Sequence, residues 1–239
     1  MIRKLILIVG LIVIIIVFLK FGRSIYIPLL NKVKGKETVK SRIERIEKDV
    51  WNRLEKNLEI AGYKMDYPQE IILVAFKEER TLQVYSKDYS GIKLIKEYPF
   101  TAFSGQLGPK LKEGDKQIPE GIYKVEYLNP NSSYYLSVKV SYPNEFDKSK
   151  TEFTNISEMG GDIFIHGKSA TIGCIPIGDQ AIEEVFLLTQ KAINNDIKVI
   201  ISPRDFRINS EYPKIEKINW ENELYEMIHN ELKTLPNNR

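Results

Sequence analysis

Ile163-Phe164-Ile165-His166-Gly167-Lys168-Ser169-Ala170-Thr171-Ile172-Gly173-Cys174-Ile175-Pro176 reads as a short buried strand that runs out into a glycine-bearing loop. The only cysteine of the 239-residue chain stands eight residues after one of its two histidines. Asp179 is placed to cap a helix from Gln180 to Asn194, on which Ile182, Val185, Phe186, Thr189 and Ile193 share a face. Catalysis by sulfur needs a thiolate, an imidazole to take the proton and backbone N–H groups aimed at the oxyanion. Gly173 lets the backbone approach a substrate carbonyl, so the N–H groups of Gly173 and Cys174 can converge on one oxygen, and Gly167 does similar service beside the imidazole. The same residues have a plainer reading, in which Cys174 is a small buried apolar group and His166 a satisfied structural one. His229 lies in a polar terminal helix and reads as a solvated surface residue. A metal site built on His166 and Cys174 alone lacks further ligands, so neither a metal nor another cofactor is expected.

Upstream, short β-rich runs separated by turn residues occupy Ile71 to Phe76, Thr81 to Tyr85, Ile92 to Tyr98, Phe100 to Phe103, Ile122 to Tyr127 and Tyr134 to Tyr142. Gly105-Gln106-Leu107-Gly108-Pro109 and Pro119-Glu120-Gly121 are turns by composition. The pattern predicts a mainly β domain with peripheral helices, an α+β fold of sandwich or barrel type. Lys198 to Ser202 adds a strand, and the last thirty residues, with Trp220, Leu224 and Ile228, form an amphipathic helix before a frayed Thr234 to Arg239 tail. Before the β region, Ser41-x-x-Glu44 reads as a capping box for a helix bearing Ile43, Ile46, Val50, Leu54 and Leu58 on one stripe, docked on the domain or on another copy.

Leu5 to Leu19 carries no charge and is flanked by Arg3, Lys4, Lys20 and Arg23. This predicts an inner-membrane anchor with its amino terminus in the cytoplasm and the remainder on the periplasmic or extracytoplasmic side. No small-residue cleavage site follows the apolar run, which favours an anchor over a cleaved signal. The expected divisions are 1–30 for the anchor and its flank, 31–69 for a spacer and stalk helix, 70–205 for a catalytic domain and 206–239 for a helical extension. With 35 basic against 32 acidic residues, interleaved along the chain, nucleic acid is not an expected partner.

Three motifs, in order, resemble one family. Ile-Phe-Ile-His-Gly followed by Thr-Ile-Gly-Cys (Ile163 to Pro176) is similar to the active-site signature of the L,D-transpeptidase (YkuD-type) catalytic domain. Gly108-Pro109-Lys110 with Glu113 to Tyr123 and Tyr142-Pro143-Asn144 resemble two of its turns, so the resemblance spans roughly Glu70 to Pro203. It implies a β-rich, sandwich- or barrel-like domain that acts on peptidoglycan stem peptides through a cysteine acyl-enzyme. Carried onto this sequence, Cys174 is the nucleophile, His166 the general base and later acid, Gly167 a backbone neighbour that orients the imidazole, and Ile172, Gly173 and Cys174 the oxyanion hole. Lys168, Lys110 and Ser169 are candidates for gripping substrate carboxylates. Three departures stand out: the close spacing of His166 and Cys174, Ile172 where a second His often stands, and Pro176 where an Arg often follows. The short form is similar to a murein transpeptidase-like branch in which hydrolytic release of a lipoprotein from peptidoglycan also occurs. Transpeptidation, hydrolysis of the same bond, including release of a wall-attached lipoprotein, and a silent wall-binding module are the readings left open.

Overall fold

The computed structural model describes residues 2–23, 25–27, 30, 35–192 and 196–236. Residues 31–34 of the expected spacer, Ile193 and Asn194 of the expected helix, and 237–239 of the tail lie outside them. Strand β1 (Ile71–Phe76) is buried along its whole length, as an unbroken apolar run with both faces covered requires. Its pleat splits the core in two. Ile71, Leu73 and Ala75 join the main apolar cluster, while Ile72, Val74 and Phe76 join a second cluster on the opposite face.

Strands β2 (Thr81–Asp88), β3 (Gly91–Pro99), β4 (Gly121–Ser132), β5 (Tyr135–Val140), β6 (Phe164–His166), β7 (Ile175–Pro176) and β8 (Lys198–Ser202) complete a mixed sheet of order β3-β2-β1-β8-β4-β5-β6-β7. Instead of two separate sheets facing each other, a single strand joins the halves: β4 pairs with β8 through Gly121–Lys124 and with β5 from Val125 onward, with register shifts after Val125 and after Asn129. Such irregularities bend a strand from one layer into the next. Phe100 to Phe103 is not a strand. Thr101 N–H instead donates to Pro176 O at 2.8 Å, tying the end of β3 to the opposite edge strand of the sheet.

Helix α1 spans Ile2–Phe21, with apolar side chains from Ile6 to Leu19 exposed. Among the described residues no helix is long and apolar enough to cross a membrane, so the anchor stays an expectation. Helix α2 (Val39–Ile60) buries Ile43, Ile46, Val50, Leu54 and Leu58, the five residues of the expected stripe, and packs on the domain. Its capping box lies earlier than read from the sequence: Thr38 is the N-cap, and Thr38 and Ser41 exchange side-chain-to-backbone bonds of 3.1 Å. A short helix α3 (Glu145–Lys150), capped reciprocally by Asn144 and Asp147, has no counterpart in the expected elements. Helix α4 (Asp179–Ala192) begins at Asp179 rather than being capped by it and lies between the sheet and α2. Its buried Glu184 accepts from Arg53, Lys96 and Tyr98 at 2.8, 2.6 and 2.9 Å. Helix α5 (Glu221–Leu232) covers the other face with Leu224, Tyr225, Ile228 and Leu232. His229, expected in solvent, is half-buried there, its Nδ1 3.1 Å from Tyr212 Oη.

At the heart of the domain lies a fully buried ion pair, Lys77 Nζ to Glu120 Oε1 at 2.8 Å. Lys77 also donates to Gly108 O and Ile118 O at 2.7 and 2.9 Å, and Glu120 accepts from Gly108 N–H at 2.7 Å and Tyr225 O–H at 2.8 Å. Burial pulls the Lys77 ammonium below the ordinary lysine range, and Glu120 opposes that shift. Removing one partner strands the other charge in the core. Glu120→Ala is therefore expected to lower the unfolding free energy by about 3–5 kcal/mol in denaturant titration, and Lys77→Met combined with Glu120→Leu to cost markedly less.

Candidate active site

The sheet's pleat assembles the site. In the β5–β6 pairing, Ser137 stands opposite His166 and Lys139 opposite Phe164, while Val138 and Ile165 between them point into the core. In the parallel β6–β7 pairing, Ile165 meets Ile175 and His166 meets Pro176. Cys174, one residue before Ile175, thus shares the face of His166, Phe164, Ser137 and Lys139. Cys174 and His166 line one cavity of about 300 Å³. The end of β4 supplies Asn129 and Ser132 to its wall, the β4–β5 turn Ser133 and Tyr134, and the loop before Cys174 Ala170, Thr171 and Ile172.

His166 is buried, its Nδ1 lies 2.5 Å from Gly167 O, and the Tyr134 ring packs on the imidazole with centroids 4.6 Å apart. That bond assigns the proton to Nδ1 and leaves Nε2 as the ring's basic nitrogen. Gly167 has no room for a side chain, because a Cβ there would sit 2.7 Å from Asp179 Oδ1 and 2.8 Å from Tyr134 O. Burial, opposed by the Gly167 carbonyl, holds the imidazole down at about 4, so it is neutral at neutral pH.

The half-buried Cys174 thiol donates to Asp162 O at 3.3 Å. Burial pushes the thiol up to about 11, against the Phe164 N–H and the charges of Lys139 and Lys110, which favour the thiolate; Asp162 adds to the rise. The N–H groups of Gly173 and Cys174 do converge on one oxygen, and that oxygen is Thr171 Oγ1, at 3.2 and 2.8 Å. The Thr171 hydroxyl in turn donates to Cys174 O at 2.7 Å, closing a side-chain turn around the cysteine. Gly173 holds φ +131 with its Cα packed so that a Cβ would lie 3.0 Å from Gln117 O. The Ile172 side chain is 78% exposed at the cavity rim.

The remaining expected contacts lie elsewhere. Lys168 binds Asp179 through both its backbone N–H, at 3.0 Å, and its ammonium, and with Ser169 it borders a neighbouring cavity of about 520 Å³. Lys110 is buried and spends its ammonium on Asp115 Oδ1 and Lys112 O, both at 2.7 Å. Sequence reading missed Thr171, whose Thr-x-Gly-Cys spacing is the signature of a side-chain turn, and Lys139, whose signal is its alternation with buried neighbours in Leu136-Ser137-Val138-Lys139-Val140. Among the described residues no three His, Cys, Asp or Glu side chains gather as a metal cluster.

The unfolded chain protonates His166 near pH 6.5 and the native state near 4, so acidification through that window favours unfolding by up to on the order of 3 kcal/mol. Asp147, which burial raises to about 6, works the other way, since the native state takes up its proton first. His166→Gln is therefore expected to remove the acid penalty and leave Asp147's stabilisation visible, when unfolding free energies of both proteins are compared at about pH 7 and about pH 4.5.

The family model for the YkuD L,D-transpeptidase catalytic domain matches residues 69–201. YafK from Escherichia coli, in strain K12 and in O157:H7, whose name gives it provisionally as an L,D-transpeptidase, is 32% identical over 160 residues, covering 64% of this chain and 63% of YafK. The chain thus matches less than two thirds of that relative's length. Among solved structures, the helical cell shape determining protein Pgp2 of Campylobacter jejuni is 19% identical over 77% of this chain and 78% of its own, with a TM-score of 0.46. L,D-transpeptidase 1 of Mycobacterium tuberculosis is 13% identical over 56% and 62%, with a TM-score of 0.30. The signature strand and turn lie inside the family match, which takes in more than half of the residues: the chain belongs to the YkuD L,D-transpeptidase catalytic domain family.

Proposed function

We propose that this protein is a cysteine-dependent acyl-transfer enzyme of the bacterial wall, cleaving peptidoglycan stem peptides through a thioester on Cys174. The observation that carries the reading is that Cys174 and His166 line one cavity, with the imidazole's Nδ1 already engaged by Gly167 O. The thiol attacks the carbonyl at the L-centre of a diamino-acid residue. As the S–C bond forms, the thiol proton passes to His166 Nε2, and the imidazolium returns it to the departing amine as the C–N bond breaks. Both partners are neutral at rest, so proton transfer accompanies attack rather than preceding it. The N–H pair of Gly173 and Cys174 is the candidate oxyanion donor once the substrate oxygen takes the position of Thr171 Oγ1. An amine acceptor then gives a cross-link, and water gives a hydrolysed stem.

The cavity lining favours one variant of this chemistry. Its only ionised side chain is that of Asp162, and Lys168 and Lys110 are engaged elsewhere. None of the lining residues offers a cation to the carboxylate of a departing D-amino acid, and Lys139 on the same face is held by Gly161 O, whereas an amine borne by an attached polypeptide needs no such partner. This supports hydrolytic release of a wall-linked protein, such as a lipoprotein, beside transpeptidation. The exposed apolar side chains of α1 and the flanking Arg3, Lys4 and Arg23 support an inner-membrane anchor with the domain on the periplasmic or extracytoplasmic side.

Incubation of the protein with tetrapeptide-stem and protein-linked muropeptides, followed by intact-mass analysis, is expected to show an acyl adduct that Cys174→Ala abolishes. His166→Ala should slow turnover by about 10²–10⁴-fold. A folded protein that yields neither adduct nor product from either substrate would leave the wall-binding reading in its place. The identity of the products separates cross-linking from hydrolysis.

A further inference from the structure

Lys139 has no part in the chemistry above, yet its side chain is 9% exposed and faces the site. A lysine gives up hydration to occupy such a place, and the contacts it makes there point toward the nucleophile. Its stem passes the Phe164 ring with Nζ 4.9 Å from the centroid. Its ammonium donates to Gly161 O and lies 3.4 Å from Asp162 Oδ1. The next carbonyl along the chain, Asp162 O, accepts the Cys174 S–H. One side chain on β5 therefore grips the peptide whose neighbour seats the sulfur.

We infer that Lys139 is a positioning residue for Cys174: its ammonium clamps the Gly161–Asp162 turn that holds the thiol, and its fixed charge faces the sulfur as negative charge develops there. The charged and titratable groups that bear on Sγ come from four elements. Lys139 on β5 and Lys110 on the 105–120 loop favour the thiolate, Asp162 before β6 opposes it, and His166 on β6 is neutral. Lys110 is matched by Asp115 at 2.7 Å, whereas the carboxylate near Lys139 is 95% exposed and solvated. Lys139 is thus the less compensated of the two cations.

The inference rests on Cys174 being the nucleophile, and alkylation tests it without requiring turnover. The rate of Cys174 modification by iodoacetamide would be followed by mass across about pH 7 to about pH 10, below the thiol's midpoint, where the rate tracks the thiolate fraction, in the full chain, beside muropeptide turnover, for Lys139→Met, Lys139→Gln and Lys139→Arg. Lys139→Met should slow alkylation about tenfold below the midpoint by moving that midpoint upward by about one pH unit, and should lower kcat with KM nearly unchanged. Lys139→Arg should restore most of both. Lys139→Gln keeps a donor for Gly161 O without the charge, and serves where the Met variant fails to fold. A folded uncharged variant with the parent's alkylation rate across this range and the parent's kcat would overturn the inference. Slowed alkylation with no turnover by any form, the parent included, would keep the clamp and remove the enzymatic reading, whereas normal turnover with unslowed alkylation would do the reverse.

Discussion

The Lys77–Glu120 pair is the constraint from which the site's geometry descends. Two opposite charges without solvent exposure must satisfy their remaining bonds inside the protein, and they do so with Gly108, Ile118 and Tyr225. These partners belong to the long loop between β3 and β4 and to the carboxy-terminal helix, so one network fixes both against β1. The loop in turn places Gln117 O beneath Gly173. The turn that carries Cys174 is therefore seated on a loop whose own position is set by a buried charge on the far side of it. Sequence motifs that flank Gly108 and Glu120 are structural in this sense: they hold the loop on which the Gly173–Cys174 turn rests.

The site itself is tuned toward neutrality. Burial raises the thiol and lowers the imidazole, and both shifts oppose a resting ion pair. A cysteine kept as a thiol is protected from indiscriminate alkylation and oxidation, reactions that follow thiolate character. On the proposed reading, its reactivity is called up by a substrate that excludes water and presents its carbonyl within reach. This also makes a slow resting alkylation uninformative about catalysis, since a packed structural cysteine and a nucleophile of this kind behave alike until a substrate arrives.

Elements with a strong period were legible in the sequence. The stripe of α2 and the unbroken apolar run of β1 follow from spacing alone, and the strand-loop arrangement around His166 and Cys174 follows from a motif. Long-range register was not legible, and it decides the rest. Which residues of β5 face His166 depends on a pairing between segments more than twenty residues apart in sequence, so Lys139 looked like any surface lysine. The ion pairs of Lys168 and Lys110 were not legible for the same reason, since their partners Asp179 and Asp115 are found only once the loops are closed. Phe100 to Phe103 has β-forming residues but leaves the ladder, because Thr101 is drawn to Pro176 on the other edge. The helix at Glu145 went unread although Asn144 and Asp147 carry its capping pair, as six residues are too few to show a helical period.

The bond between Thr101 and Pro176 has a meaning beyond local geometry. An edge strand with unpaired backbone invites another polypeptide to add itself to the sheet, the route to misassembly in β-rich proteins. Here β7 is met by the chain leaving β3, and β3 itself is met by α2, where Asn57 Nδ2 donates to Ile95 O at 3.0 Å and Lys93 Nζ to Ala61 O at 3.1 Å. Each end of the sheet is thus met at one point of its main chain by the protein's own chain. Ile95 O on one edge and Pro176 O on the other are thereby withheld from a strand that would add itself there, so strand addition at either end has to displace a bond the protein already makes.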